Sequence, residues 1–466
     1  MLYNKHINSR EIKSLGMPQG AEIKNPMKKD IAVIILAAGK STRMKSEVPK
    51  VLHEVCGRPV IGYVLDLVKS LKADKTIAVV GFKHQEVRKF LPKNIKVVLQ
   101  KRLLGTADAV KVALSQLKNF HGTVLVLYAD NPLLKKETIT KLLKQHWESN
   151  ADATLLTATL DKPSGYGRIL RDKYSSIRGI VEEKDADDFE KDIKEVNTGI
   201  ACFNKDSLSG CIGSVRRNNR KKEYYLTDII GIFYKKGLLV DGLKISDINE
   251  ALGINSRKDL AQANAIMRER INEGLMQEGV TIVDPDSTFI GYNAKIGRDT
   301  VIYPFTVVES NVKIGIRCSV GPFAHLRGGT ILKDNSLVGN FLEIVRSKIG
   351  SGTLAKHFCY IGDAKIGRNV NIGAGTVTAN FDGVRKNVTV IKDGAFIGSD
   401  TVLVAPVRIG EKAKTGAGTV VPKNKNVAGG ATVVGVPAKL LKWSPPRLRP
   451  GVPKGGILER SNLSAP

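Results

Sequence analysis

From Ile290 onward, aliphatic side chains recur at every sixth position: Ile290, Ile296, Ile302, Val308, Ile314, Val320, Leu326, Leu332, Val338 and Ile344. A period of six matches neither the turn of an α-helix, about 3.6 residues, nor the simple alternation of an open sheet. It fits a β-solenoid whose short faces each turn one aliphatic residue inward. Glycine follows directly at Gly291, Gly297, Gly315, Gly321 and Gly339, and small residues recur four positions on at Ala294, Thr300, Thr306, Cys318 and Ala324. After slips of one residue the pattern resumes at Ile349, Ile361, Ile366 and Ile372, then at Ile397, Leu403 and Ile409. It is interrupted between Val377 and Ile397, and such interruptions are commonly loops on a binding face.

The chain is too long for this repeat alone, with 466 residues. From Ile31 to about Asn255 strand-like runs (IAVIILAA, TIAVV, VLVLY) alternate with helical stretches such as Val60 to Lys72. Such alternation predicts an α/β domain with a mainly parallel sheet and ligands beyond the carboxyl ends of its strands. The expected division is a disordered tail over 1–27, the α/β domain over 28–255, a joining helix over 256–279, the solenoid over 280–440, and a disordered tail over 441–466. No apolar run approaches the roughly 20 residues that span a bilayer, which predicts a soluble protein without membrane insertion. The first 26 residues are polar, unlike a secretory signal. Five cysteines without a C-x-x-C pair argue against zinc and disulfides and for a reducing compartment. The formal charge of +28, from 73 basic and 45 acidic residues, suits nucleic acid, an acidic membrane surface or anionic small substrates. Because the basic residues are spread along the whole chain with little aromatic interleaving, a nucleic-acid stripe is the weaker reading, and the charge reads as background plus phosphate chemistry.

The stretch Ile31 to Lys50 reads IAVIILAAGKSTRMKSEVPK. Its apolar start suits a strand buried on both faces. Ala37, Ala38 and Gly39 then lack bulk, while Lys40, Arg43 and Lys50 add cationic donors beside exposed N–H groups. Together they make an anion cradle, with an ordinary tight turn as the alternative. Gly39-Lys40-Ser41 mimics the end of a phosphate-binding P-loop, but Ile34 stands where that motif needs another glycine, which excludes it. Asp130 closes the run VLVLY, and a hard divalent cation that also holds phosphates needs only one or two protein oxygens. Leu104-Gly105-Thr106 follows KVVLQ and suits close contact with a flat base, or equally a helix start capped by threonine.

The first stretch resembles the L-x-x-G-x-x-T-R-M…P-K signature of sugar-nucleotidyltransferases, which join a nucleoside triphosphate to a sugar 1-phosphate. The resemblance implies that Leu36, Ala37, Ala38, Gly39 and Lys50 hold the nucleotide, with Gln100, Gly105 and Thr106 reading the pyrimidine. It implies Tyr128, Gly167, Glu182 and Asn197 around the UDP-sugar, and Asp130 with Asn255 on Mg2+. Arg43 and Lys50 would stabilise charge as a sugar phosphate oxygen attacks the α-phosphorus of UTP and pyrophosphate leaves. Lys101, Arg102 and Leu103 depart from the family pattern.

The repeat resembles the left-handed hexapeptide β-helix of acyltransferases, typically trimers with active sites between subunits. Both halves together, over roughly residues 28 to 440, resemble the bacterial enzymes that combine N-acetylglucosamine-1-phosphate uridyltransferase with glucosamine-1-phosphate acetyltransferase activity. This implies a cytoplasmic homotrimer that uses UTP and acetyl-CoA to make a peptidoglycan cell-wall precursor. It implies His357 as general base, because a neutral imidazole can take the proton of the sugar amine, and Glu343 as its orienting carboxylate. Arg327, Tyr360 and Asn371 would hold glucosamine phosphate, and Ala374, Asn380, Phe381, Lys386, Ser399 and Gly416 would hold acetyl-CoA. Val345 stands where the family usually has a phosphate-binding lysine, Phe381 replaces a frequent tyrosine, and Gly435 to Pro437 lacks a basic residue often found near the CoA phosphates. A second reading keeps only nucleotidyl transfer, with the solenoid as a trimeric scaffold. A third makes the chain a basic RNA-binding or structural protein.

Overall fold

A computed structural model describes residues 29–40 and 42–441. The two expected tails, apart from Leu441, lie outside these residues. The described chain divides into two compact units at Gly274, with Phe289–Tyr292 belonging to the first. Among the described residues no helix is long and apolar enough to cross a membrane, and the five cysteines are free thiols.

In the first unit, the predicted strand forms over Ile31–Ala37 with all seven residues buried. It pairs in parallel with Lys75–Val80 on one side and Thr123–Tyr128 on the other. The main sheet runs Val240–Lys244, Ala153–Thr159, Glu195–Asn204, Thr123–Tyr128, Ile31–Ala37, Lys75–Val80, Lys96–Leu99. Six of these seven strands run in one direction, the mainly parallel sheet expected, and one central strand, Glu195–Asn204, is antiparallel to both neighbours. Helices cover both faces and bury alternate sides of the central strand: Ile34 and Leu36 face one cluster, Ile35 and Ala37 the other. The helix Arg257–Gln277 is more than a connector. Its Ala263 and Met267 are buried with Met44, Val55, Val60, Leu133 and Ile254 under the phosphate-cradle segment.

In the second unit, parallel two- to four-residue strands stack into three flat faces. The first face includes Val301–Ile302, Ser319–Val320, Leu337–Val338, Leu354–Ala355, Asn371–Ile372, Phe396–Ile397 and Lys414–Thr415. The second includes Val307–Val308, His325–Leu326, Leu342–Val345, Cys359–Gly362, Val377–Ala379, Val402–Val404 and Val420–Val421. The third includes Lys295–Ile296, Lys313–Ile314, Ile331–Leu332, Lys348–Ile349, Ala364–Ile366, Thr389–Ile391 and Val407–Ile409. The aliphatic positions of the repeat point inward and are buried throughout, from Ile302 to Ile409. Small corner residues are buried too, and their hydroxyls tie coils together: Thr300 Oγ1 donates to the Gly315 carbonyl at 2.9 Å and Thr330 Oγ1 to that of Ile344 at 3.0 Å. Most corners turn through a left-handed residue, often Asn, Asp or Gly, which tolerate it best. Phe305, Phe323 and Phe341 take the same conformation between the first and second faces, with φ of 58°, 54° and 54°. Their exposed rings stack at centroid distances of 4.9 and 5.1 Å.

Candidate active sites

The two oxygen ligands expected from sequence converge. The Lys50 ammonium touches Asp130 Oδ2 and lies 3.1 Å from Asn255 Oδ1. Asp130 sits just beyond the strand Thr123–Tyr128, and its carbonyl accepts the Ile254 amide at 2.9 Å, which fixes Asn255 beside it. Asp259 accepts from the Asn255 and Ser256 amides at 2.9 and 2.8 Å, capping the long helix that follows. The Lys50 and Asp130 side chains are only 14% and 12% exposed. Two hard oxygens aimed at one cationic atom fit a divalent cation that keeps waters and phosphate oxygens for its other positions.

The strand end carrying Leu36 is paired with Tyr128, and the Leu36 carbonyl accepts the Ala129 amide at 3.0 Å. Ala37 and Ala38 are buried, whereas Gly39, Lys40 and Arg43 are exposed. Nothing lies within 4 Å of where a Gly39 side chain would stand, so the cradle is open on that side.

Gln100 is 5% exposed, and its amide nitrogen donates to the Gly105 carbonyl at 3.0 Å and to Asp108 Oδ2 at 2.7 Å. Thr106 Oγ1 accepts the Leu226 amide at 2.9 Å. Gly105 is required by the backbone: φ is +118°, and a methyl group would overlap the Tyr224 carbonyl and stand 2.7 Å from its amide nitrogen. The Gly-Thr pair is therefore a stiff loop zipped to residues 224–226, a partner that sequence reasoning did not find.

Gly167 is the register partner of Asn197, and its α-carbon faces Glu182: a methyl group there would lie 3.5 Å from Glu182 Oε2. Thr227 Oγ1 donates to Glu182 Oε1 at 2.9 Å, and burial pushes the Glu182 carboxyl above its ordinary range. Asn197 Oδ1 accepts the Gly199 amide at 3.1 Å, and the Tyr128 ring packs on Gly199, where a methyl group would meet Cε2 at 2.9 Å. Tyr128, Asn197, Gly167 and Glu182 thus form one rim, with Gly199 and Thr227 as members missed from sequence. The glycine of Asn197-Thr198-Gly199 was the available signal for the first, while Thr227 carried none.

In the second unit, strand register puts His357, Ala374 and Ser399 in one column on the corner between the first and second faces. Extending the register by one coil brings Ala417 into that column, with Gly416 one residue before it. His325, Glu343 and Tyr360 stand on successive strands of the second face. Glu343 Oε1 accepts from Arg327 at 3.0 Å. Among the described residues no hydrogen bond joins Glu343 to His357, so the orienting role expected for Glu343 is not supported within one chain. Asn371 lies on the first face.

Asn380, Phe381 and Lys386 belong to a hairpin at the opposite edge of the second face, closed by a bridge between Phe381 and Lys386. Asp382 braces it by accepting the Val384 and Arg385 amides at 3.1 and 2.9 Å, which with the Asn387 amide holds its carboxyl far below the usual range. Val345 is 2% exposed. Its neighbour Arg346 does not replace the missing lysine, because its guanidinium grips Asp363 through two bonds of 2.7 and 2.8 Å.

The sheet, the open cradle and the converging oxygens define a sugar-nucleotidyltransferase domain, and the coils define a hexapeptide-repeat β-helix of the acyltransferase class. The MobA-like NTP transferase domain model matches residues 33–187, and the model for the hexapeptide repeat of succinyl-transferase matches residues 388–423. The bifunctional protein GlmU of Shouchella clausii is 43% identical over 421 residues, 83% of this chain and 93% of that protein. GlmU of Thermosipho africanus is 45% identical over 424 residues, covering 84% and 92%. A crystal structure of UDP-glucose pyrophosphorylase complexed with UDP-glucose covers 52% of this chain and 99% of its own, at 14% identity and a TM-score of 0.44. The chain belongs to the bifunctional GlmU family.

Proposed function

We propose that the protein makes UDP-N-acetylglucosamine in two steps: acetyl transfer from acetyl-CoA to glucosamine 1-phosphate, then uridylyl transfer from UTP to N-acetylglucosamine 1-phosphate. The observation that carries this reading is that the likeness to GlmU runs through both halves, 83% of the chain.

For uridylyl transfer, Gly39 leaves room for the triphosphate beside the Leu36–Ala38 backbone, and Lys40, Arg43 and Lys50 supply positive charge. Asp130 and Asn255 are the residues that would hold Mg2+, which when bound neutralises phosphate charge. Gln100, Gly105 and Thr106 form the base-reading loop. Tyr128, Gly167, Glu182 and Asn197 orient the sugar so that its phosphate oxygen approaches the α-phosphorus in line. No protein nucleophile is needed, so catalysis is positioning plus charge stabilisation.

For acetyl transfer, His357 takes the proton of the attacking amine, and the thioester lies along the column through Ala374 and Ser399. Arg327, Tyr360 and Asn371 hold the sugar phosphate. The hairpin with Asn380, Phe381 and Lys386 stands across the second face from His357, so a contact with another copy would unite them. The exposed Phe305–Phe323–Phe341 stack on the His357 corner is apolar surface for that contact. These features support a homotrimer with sites between copies, and a cytoplasmic location follows from the proposed substrates, UTP and acetyl-CoA. The buried Val345 and the occupied Arg346 favour a second reading, nucleotidyl transfer alone with the solenoid as scaffold.

Release of free CoA with glucosamine 1-phosphate as acceptor separates the two readings. The first requires it, together with magnesium-dependent exchange between UTP and pyrophosphate. His357→Ala should abolish the CoA release and spare the exchange. Full acetyl transfer by that variant would remove His357 as the base.

A further inference from the structure

The basic residues that look scattered in sequence are aligned in space on the third face of the solenoid. Its outward positions are in register as Lys295, Lys313, Ile331, Lys348, Lys365, Val390 and Arg408. Where the rung carries Ile331 or Val390, the next outward position two residues on is Lys333 or Lys392. Every one of the seven rungs therefore presents a cation, and glycine fills the alternate position at Gly297, Gly315, Gly350, Gly367 and Gly410. Rungs are about 4.8 Å apart, so the row is about 29 Å long. Two neighbouring carboxylates are engaged elsewhere, Asp363 on Arg346 and Asp334 on the Ile316 amide, while Asp393 pairs with Arg368 and also faces Lys392. Glu411 flanks the last rung near Lys392 and Arg408.

Like charges directly opposite one another on adjacent strands cost stability, so the pairs Lys295–Lys313 and Lys348–Lys365 within this row are not what folding alone selects. We propose that this face docks the protein on an anionic phospholipid bilayer surface. The seven cations lie along one straight face, so a planar array of headgroup phosphates meets all of them at once. A duplex winds its phosphates away from a straight row within each turn of about 34 Å. Single-stranded nucleic acid needs stacking aromatics, and the two uncharged rung positions are aliphatic. A second copy presenting the same face would set cation against cation, and the exposed phenylalanine stack occupies the opposite corner of the coil.

The test is co-sedimentation of the full chain with vesicles of phosphatidylserine and phosphatidylcholine, or of phosphatidylcholine alone, at about 0.1 M salt. The variant is Lys313→Gln/Lys348→Gln/Lys365→Gln. Its control, Lys69→Gln/Lys136→Gln/Lys235→Gln, removes the same charge from exposed positions of the first unit. The protein should bind only the anionic vesicles. The solenoid variant should lose about a hundredfold in partitioning, from roughly fivefold per cation near the surface over three substitutions, while the control loses little. Relief of the rung-to-rung repulsion should also raise the melting temperature of the solenoid variant, which excludes misfolding as the cause. Equal loss in the control, no preference for anionic vesicles, tighter face-dependent binding to duplex or single-stranded nucleic acid, or a changed oligomeric state in the solenoid variant would each overturn the proposal.

Discussion

Lys50→Met keeps most of the aliphatic stem and deletes the ammonium that sits between Asp130 and Asn255. Both members of the ion pair are largely buried, at 14% and 12% exposure. Removing one partner of a buried pair costs about 3–5 kcal/mol, and the small residual access to water places this case near 3. For a domain of this size each kcal/mol moves the melting temperature by roughly 2–4 °C, so the variant should melt about 6–12 °C lower in chelator. Magnesium should then rescue it, because an ion bound to the same two oxygens stabilises only the folded state. At a concentration a hundredfold above its dissociation constant that gain is about 2.7 kcal/mol. The native protein should gain little from magnesium alone, since the ion must first displace Lys50, and should gain once UTP offers the ammonium a phosphate. Differential scanning calorimetry with chelator, magnesium, and magnesium plus UTP measures all of these shifts. Equal magnesium gains in native protein and variant would refute the idea that lysine and metal compete for one point.

Gly105→Ala forces a left-handed backbone on alanine and drives its methyl group into the Tyr224 peptide, so it should cost about 2–4 kcal/mol in urea denaturation and weaken UTP binding in calorimetry. Native-like stability would mean that the loop is looser than its contacts indicate. His146 is fully buried with Nδ1 2.9 Å from Thr154 Oγ1, and burial lowers its pKa to about 4. Its unfolded value is 6.5, so the stability it contributes is present above pH 6.5 and falls away as pH drops through 4, by about 3 kcal/mol. Denaturation curves at several pH values should show that His146→Leu flattens this window, and parallel pH profiles would exclude the assignment.

The architecture was legible because a solenoid repeats its chemistry locally. One inward aliphatic residue per face is a short-range requirement, so Ile290 to Ile344 reveal it at a glance. The nucleotide cradle was legible because a buried strand, three small residues and a cluster of cations follow one another within a single stretch. The antiparallel strand Glu195–Asn204 was not, since strand direction depends on distant partners and its own composition suits either direction. Asp130 and Asn255 lie far apart in sequence, and their meeting at Lys50 follows from the Ile254 amide bonding to the Asp130 carbonyl, which no local pattern encodes.

The same distinction governs the charge. Counting Lys and Arg along the chain gives an even scatter and no stripe, because the count ignores the three-face period that returns to one face every eighteen residues in the first coils. Folded on that period, Lys295 and Lys313 become adjacent, and the one-residue slips that blur the aliphatic pattern keep Lys348 and Lys365 in register with them. Lys333 and Lys392 then supply a cation to the two rungs whose first position is aliphatic. Net charge alone carries no information about fold, but charge read at the period of the fold becomes a surface with a direction. That makes the row on the third face a stronger clue to partners than the overall +28.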